Sequence, residues 1–430
     1  MDLPSDKKNE GKAPEPTEGT HDNLSEFRAT KPPSVKDFAD KLINDFSKID
    51  ADGNGYITQG EIEKRMADPL VKGQDAAGLA ALRLAADAID NLTWDWSTSD
   101  GFTKKDLLAL RDKSQNNPAD ATVKAIDTQL KDAASGIPEQ GAVLFGKDGG
   151  GIRPEAVRQG VGIADCYLMA SLASIAATNP ENIRSMIKQI DQDHFQVTFP
   201  GAPNEPIKIS RPTDSEFAAF AHASENGIWP SLIEKAFGQY VANHQSNAQA
   251  MLGHALEHQG SPLQTLLLDG GTSSGFFMEM LTGKSSSHVN LKDADAKTLI
   301  GNIKESLDAK LPVTTCMELN NKHASEIGLN AGALGLESLG YTGGVDGTAH
   351  LFSILGVNPE KGTITVRDPY GKMEPRNSYG NAKTTHSPGV FEMSAAEFKK
   401  TFSLVSFTNN SSSRSNGGVI FSANFKRFAK

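Results

Sequence analysis

From residue 36 onward, apolar side chains recur at helical spacing: Phe38, Leu42, Phe46 and Ile49 in VKDFADKLINDFSKI, then Leu79, Leu82, Ala86 and Ile89 in AAGLAALRLAADAIDNL. An apolar residue at every third or fourth position lines one face of a helix, so both segments predict amphipathic helices. Between 112 and 150 the chain turns polar and small, with a weaker helical pattern at Val123, Ile126 and Leu130, and it ends in GKDGGGIRP. Residues 113–142 therefore read as a linker. Beyond it, helical patterns near 166–177, 230–241 and 394–402 mix with two-residue alternation in HFQVTF, LPVTTCMEL, HLFSILGV and GTITVRD. Helices and strands in that irregular order predict an α+β unit. Residues 1–35, rich in Lys, Glu, Pro and Asp, offer too little apolar surface to offset the entropy of ordering, and are expected to form a disordered tail.

Composition narrows the classes. A chain of 430 residues with 38% apolar content suits two or more folded units. A net charge of −10 without a basic run argues against nucleic-acid binding, whereas dispersed acid suits cations. No stretch approaches the roughly 18 apolar residues of a membrane span, and the start MDLPSDKKNEGKAPEPTEGTHDN has no apolar core of a secretion signal. A cytoplasmic protein without a membrane span is expected, with non-classical export left open. Two cysteines, Cys166 and Cys316, cannot build a disulfide framework and point to a reducing compartment.

DADGNGYITQGE, residues 50–61, matches D-x-[DN]-x-[DN]-G-x5-E at each demanded position and lies between amphipathic segments. Calcium takes six to eight oxygens, which Asp50, Asp52, Asn54, the Tyr56 carbonyl, Thr58 and bidentate Glu61 supply, with Gly55 at the sharp turn. DWSTSDGFTKKD, residues 95–106, threads on the same positions with Asp95, Ser97, Ser99, Thr103 and Asp106 as donors and Phe102 where Ile57 sits. There Asp100 replaces the turn glycine and a shorter Asp the final Glu, so metal occupancy of this second loop is an open question. The two loops resemble an EF-hand pair over about 36–112.

RQGVGIADCYLMASLASIAAT places Cys166 at the foot of an apolar helix whose Leu168, Met169, Leu172 and Ile175 share a face. Free N–H groups and the dipole at a helix start favour a thiolate, while a lone cysteine is as often simply buried. A cysteine nucleophile needs a base and a group to orient it. His350 opens HLFSILGV, and the turn NPEKG leads to TITVRDPYG. If Val357 pairs with Thr363, His350 and Asp368 become diagonal neighbours on one face, and a slip of one residue separates them. No other histidine has such a partner. Cys316, in a strand pattern, reads as a buried structural thiol, and Trp229 with LIEKAF as core packing.

In order along the chain, QGVGIADCYLMASLASI, GIWPSLIEKAFGQY, GGTSSGFFMEMLTG, GTAHLFSILGV, VRDPYG and FEMSAAEFKKTF resemble the nucleophile segment, Trp helix, glycine-rich stretch, histidine strand, Asn-Pro-Trp-Gly element and closing helix of calpain-type, papain-like cysteine proteases. The resemblance covers about 143–430 and implies a two-lobed core, helical over about 143–283 and β-rich over about 284–430, behind an all-α EF-hand domain. It implies Cys166 as nucleophile, His350 as base and then acid, Asp368 as orienter, and Gln159 with the Cys166 N–H as oxyanion donors. A calcium-dependent endopeptidase acting on polypeptides through a thioester acyl-enzyme follows. The chain departs from the family pattern in three places: Asp368 stands for an amide, Tyr370 for a Trp, and Gln159 lies one residue further from the cysteine. A transglutaminase-like acyltransferase and a catalytically inactive calcium-dependent binding protein are the alternative readings.

Overall fold

A computed structural model describes residues 32–93, 101–139, 141–160, 163, 165–222, 225–244, 274–318, 320–329, 349–377, 381–382 and 389–412. The expected disordered tail lies outside the described residues up to position 31, and the first helix already begins at its last residue, Val35.

The N-terminal part is helical. Helix α1 (Val35–Ile49) is capped by the Ser34 hydroxyl and buries Phe38, Leu42, Phe46 and Ile49, the stripe its spacing predicts. A two-residue strand β1 (Ile57–Thr58) leads into α2 (Gln59–Met66), followed by α3 (Gly73–Asp90). Strand β2 (Gly101–Phe102) leads in the same way into α4 (Lys104–Asn116). The two loops are joined by antiparallel pairing of β1 with β2, Ile57 opposite Phe102, both fully buried. Each strand ends in a capping box, Thr58 with Glu61 and Thr103 with Asp106, which satisfies the first N–H groups of the helix that follows.

Helix α5 (Ala121–Gly136), N-capped by Asp120, occupies much of the segment read as a linker. It buries Val123, Ile126 and Leu130 and packs against α3. Its last residue must be glycine, because a Cβ on Gly136 would sit 2.5 Å from the Phe217 carbonyl oxygen.

Helix α6 (Cys166–Thr178) is buried from Cys166 to Ala176, which explains its nearly uniform apolar sequence. After α7 (Pro180–Met186) comes a three-stranded antiparallel sheet of β3 (Ile187–Gln189), β4 (His194–Val197) and β5 (Ile207–Ser210). Helices α8 (Asp214–Ala219), α9 (Trp229–Asn243) and α10 (Ser274–Thr282) complete this part. Tyr167, Phe237 and Phe277 knit α6, α9 and α10, with ring centroids 4.1 and 4.8 Å apart. Trp229 is fully buried, as core packing requires, and its indole N–H donates to the Gly151 carbonyl at 3.2 Å.

The second part is a six-stranded antiparallel sheet built from β6 (Lys284–Asn290), β7 (Val313–Glu318), β8 (Ala349–Asn358), β9 (Thr363–Arg367), β12 (Val390–Ser394) and β13 (Leu404–Ser412), in the order β12-β9-β8-β7-β13-β6. A minor hairpin pairs β10 (Arg376–Asn377) with β11 (Asn381–Ala382). Helices α11 (Ala296–Asp308), α12 (Lys322–Glu326) and α13 (Ala395–Thr401) flank the sheet. Helix α6 lies against this sheet: Ser353 on β8 donates to the Ala170 carbonyl at 2.7 Å, and the Ser174 hydroxyl bonds both the N–H and the carbonyl of Val313 on β7 at 2.9 Å. Buried hydroxyls thereby fix the height of the helix on the sheet, and with it the height of Cys166.

Candidate active site

Cys166 is the first residue of α6, so its backbone N–H has no acceptor within the helix. The thiol is buried, 9% exposed. His350 sits near the start of β8, opposite Met317 of β7, and Asp368 follows the last residue of β9.

The expected register holds only in part. Next to the turn, Val357 pairs with Ile364 and Asn358 with Thr363, one residue off the expected Val357–Thr363 pairing. A bulge between Ile354 and Gly356 takes up the extra residue, and Ser353 then faces Arg367. The site end of the hairpin is thereby in the register that brings His350 to Asp368 despite the slip at the turn.

Nε2 of His350 meets Oδ1 of Asp368 at 2.9 Å. The Cys166 thiol lies beside the imidazole and, with Asp368, helps to hold it protonated. Asp368 is fully buried, and its Oδ2 accepts the backbone N–H groups of Lys372 at 3.0 Å and Met373 at 2.8 Å. Burial works against the charged imidazolium, but the bonds to Asp368 and Cys166 outweigh it and hold His350 up at about 9. Asp368 stays below the usual carboxylate range: burial opposes this, and the hydrogen bond from His350 leads the effects that prevail. Tyr370 stacks on the imidazole with centroids 5.4 Å apart and planes 20° apart, shielding the pair from water.

Gln159 is fixed by other partners. Its Nε2 donates to the Ile163 carbonyl at 2.7 Å and meets the Tyr370 hydroxyl at 3.1 Å, while its backbone N–H donates to Pro369 at 2.9 Å. The amide side chain ties the cysteine loop to the Asp368 turn, and both its N–H groups are engaged there.

Sequence reading missed a second acidic feature. Asp165, immediately before Cys166, and Glu234 of α9 are both fully buried and hydrogen-bonded to each other. Among the described residues no N–H or hydroxyl reaches either Asp165 oxygen or Glu234 Oε1, so the pair can be joined only by a proton that one carboxyl carries, whereas Glu234 Oε2 accepts the Ala221 N–H at 2.5 Å. Two carboxyl groups joined in this way share a proton, and burial raises both above the ordinary carboxylate range. The LIEKAF pattern gave only a helix face. Cys316, expected to be buried, is mostly buried as a residue, and its thiol is pushed up to about 12, chiefly by burial.

In the first loop, carboxylate oxygens of Asp50, Asp52 and Glu61 lie within 4.8 Å of one another. Asp50 Oδ1 is buried without a partner, and Gly55 takes a φ of +88° at the turn. An orphaned acceptor beside two further carboxylates fits a hard cation. Asn54 Oδ1 accepts the Tyr56 N–H at 2.8 Å, which tightens the loop. In the second loop Asp95, Ser97 and Ser99 lie outside the described residues. Asp106 is buried with Oδ2 held by the Thr103 N–H and hydroxyl and Oδ1 by the Thr93 hydroxyl, so here it caps a helix.

Among the described residues no helix is long and apolar enough to cross a membrane. The family model described as calpain family cysteine protease matches residues 142–409. No curated protein matches the chain significantly.

Proposed function

Because the chain belongs to the calpain family of cysteine proteases, we propose that it is a calcium-dependent endopeptidase using Cys166, His350 and Asp368 as its catalytic triad. The observation that carries this reading is one imidazole bonded through Nε2 to a buried carboxylate and lying beside a thiol at a helix start, and with Nε2 committed to Asp368 we assign Nδ1 to the sulfur. His350 held up at about 9 keeps the imidazolium present at neutral pH, the partner a thiolate requires.

Cys166 sulfur attacks the substrate carbonyl, and the oxyanion forms beside the Cys166 backbone N–H. His350 Nδ1 gives its proton to the leaving amine, leaving a thioester on Cys166. The neutral imidazole then takes a proton from water, whose oxygen attacks the thioester and releases the acid product. Asp368 holds the Nε2 proton throughout and fixes the tautomer. A role for the Gln159 side chain as a second oxyanion donor requires it to exchange one of its present partners.

Asp50, Asp52, Asn54, the Tyr56 carbonyl and Glu61 would hold calcium in the first loop, where the ion neutralises clustered acid and fixes the loop between α1 and α2.

Casein incubated with the wild-type chain and with Cys166→Ala, each with calcium and with chelator, tests the reading. Peptide release by the wild type with calcium alone is expected. Equal release by Cys166→Ala would sink it, and incorporation of a primary amine into glutamine without cleavage would favour acyl transfer instead.

A further inference from the structure

Helix α5 precedes the matched residues 142–409, yet it reaches the loop that carries Asp368. Oδ1 of Asp132 accepts Nζ of Lys372 at 2.8 Å and Nη2 of Arg158 at 3.0 Å, and Oδ2 lies 3.5 Å from Nε2 of His222. The two cations belong to the two chain segments that make the site. Lys372 is the residue whose backbone N–H holds Asp368 Oδ2, and Arg158 directly precedes Gln159, whose N–H bonds Pro369. Only 8% of the Asp132 side chain is exposed, so its charge is poorly screened and removing it strands two cations at a half-buried junction.

We propose that Asp132 is a positioning residue: through Lys372 and Arg158 it clamps the cysteine-side segment and the 368–373 turn together, so that Asp368 meets the imidazole in line. This rests on the triad reading above. It assigns to a helix outside the matched family domain a hold on Asp368 through one intervening residue, and gives the N-terminal helical part a physical route to the site. The carboxylate touches no reacting atom; it acts by fixing the backbone N–H groups that orient Asp368, and a displacement of about 1 Å at such a group costs on the order of a hundredfold in rate.

The test reads the rate of Cys166 alkylation by iodoacetamide, followed by mass spectrometry, beside kcat and KM on a peptide substrate. Asp132→Asn, which keeps the volume, and Lys372→Met are each expected to lower the alkylation rate and kcat about tenfold with KM little changed. Lys372→Arg should recover most of the loss. In an Asp368→Ala background Asp132→Asn should change alkylation less than about twofold, because the group it acts through is gone. The same tenfold loss in that background, or wild-type alkylation by Asp132→Asn, would overturn the proposal, as would a loss confined to thermal stability. If the wild-type chain cleaved no substrate while alkylation still depended on His350 and Asp132, the peptidase reading would fall and the clamp would stand.

Discussion

Replacing Asp368 by asparagine looks harmless, since an amide is what the family resemblance carries at this position. The hydrogen bonds around Asp368 say otherwise. Three donors converge on its carboxylate: the His350 Nε2–H on Oδ1, and the N–H groups of Lys372 and Met373 on Oδ2. A carboxylate accepts from all three, whereas an amide brings two N–H groups of its own and must set them against a donor in either orientation. With its NH2 towards the turn, two backbone bonds to a charged group are lost, about 1.5–3 kcal/mol each. With its NH2 towards the imidazole, only one bond is at stake, and His350 can satisfy it by moving its proton to Nδ1. The second arrangement is therefore favoured, and it leaves Nδ1–H facing Cys166 with no lone pair to act as base. Asp368→Asn should lower kcat/KM on the order of 10³- to 10⁴-fold, the cost of an imidazole locked in the wrong tautomer. Iodoacetamide alkylation of Cys166 between pH 5 and 10 supplies an independent readout: the imidazolium that persists towards about 9 in the wild type loses its buried counter-charge in the variant. An asparagine variant within tenfold of wild-type activity would refute the donor accounting.

His222, buried beside Asp132, is pushed down to about 4, chiefly by burial, with Asp132 opposing. A depressed imidazole contributes stability that is full above about 6.5 and lost as pH falls through about 4. Unfolding free energies from urea titrations at pH 7.5 and 4.5 should therefore differ by about 2.5 kcal/mol more for the wild type than for His222→Asn, and an equal difference in the two proteins would refute this. His350, shifted the other way, contributes stability that is full below about 6.5 and lost as pH rises through about 9, so the wild type should show that alkaline limb, Cys166→Ala should shrink it by removing one of the two partners that hold the imidazole up, and His350→Phe should lose it. Glu234→Gln can still accept from Ala221 and donate to Asp165 permanently, so it should leave stability near neutral pH within about 1 kcal/mol and outlast the wild type at higher pH; Glu234→Leu should cost several kcal/mol by stranding Asp165. Calcium should raise the thermal midpoint of the wild type, and Asp50→Ala with Glu61→Gln should abolish both that shift and the calorimetric binding signal; an unchanged shift would move the ion elsewhere.

Apolar patterning made the elements legible: α1, α6, α9 and strands β7, β8 and β9 fall on the expected spans, α1 through a one-sided buried stripe and α6 and α9 as helices buried on nearly every side. The hairpin shows where that reading stops. Alternation located both strands, but a bulge is one extra residue without a side-chain signature, and the His350–Asp368 meeting depends on it. The partners of buried charge are harder still to read, since they are fixed by tertiary contacts between distant segments. Glu234 and Lys235 are neighbours in LIEKAF and both buried, yet one faces Asp165 and the other meets Glu216 at 2.7 Å. Asp132 lies 240 residues from Lys372 in a stretch whose composition suggests a connector. The buried face of its helix is not purely apolar: Gln129 and Asp132, one turn apart, are buried with Val123, Ile126 and Leu130, while Lys124, Thr128 and Lys131 face water, and polar residues on the covered face blur the apolar stripe that would mark it in sequence. Acids on such faces are therefore the places where a sequence conceals chemistry, and two of those buried among the described residues, Asp132 and Glu234, each lie one residue contact away from Asp368 or from the start of the Cys166 helix.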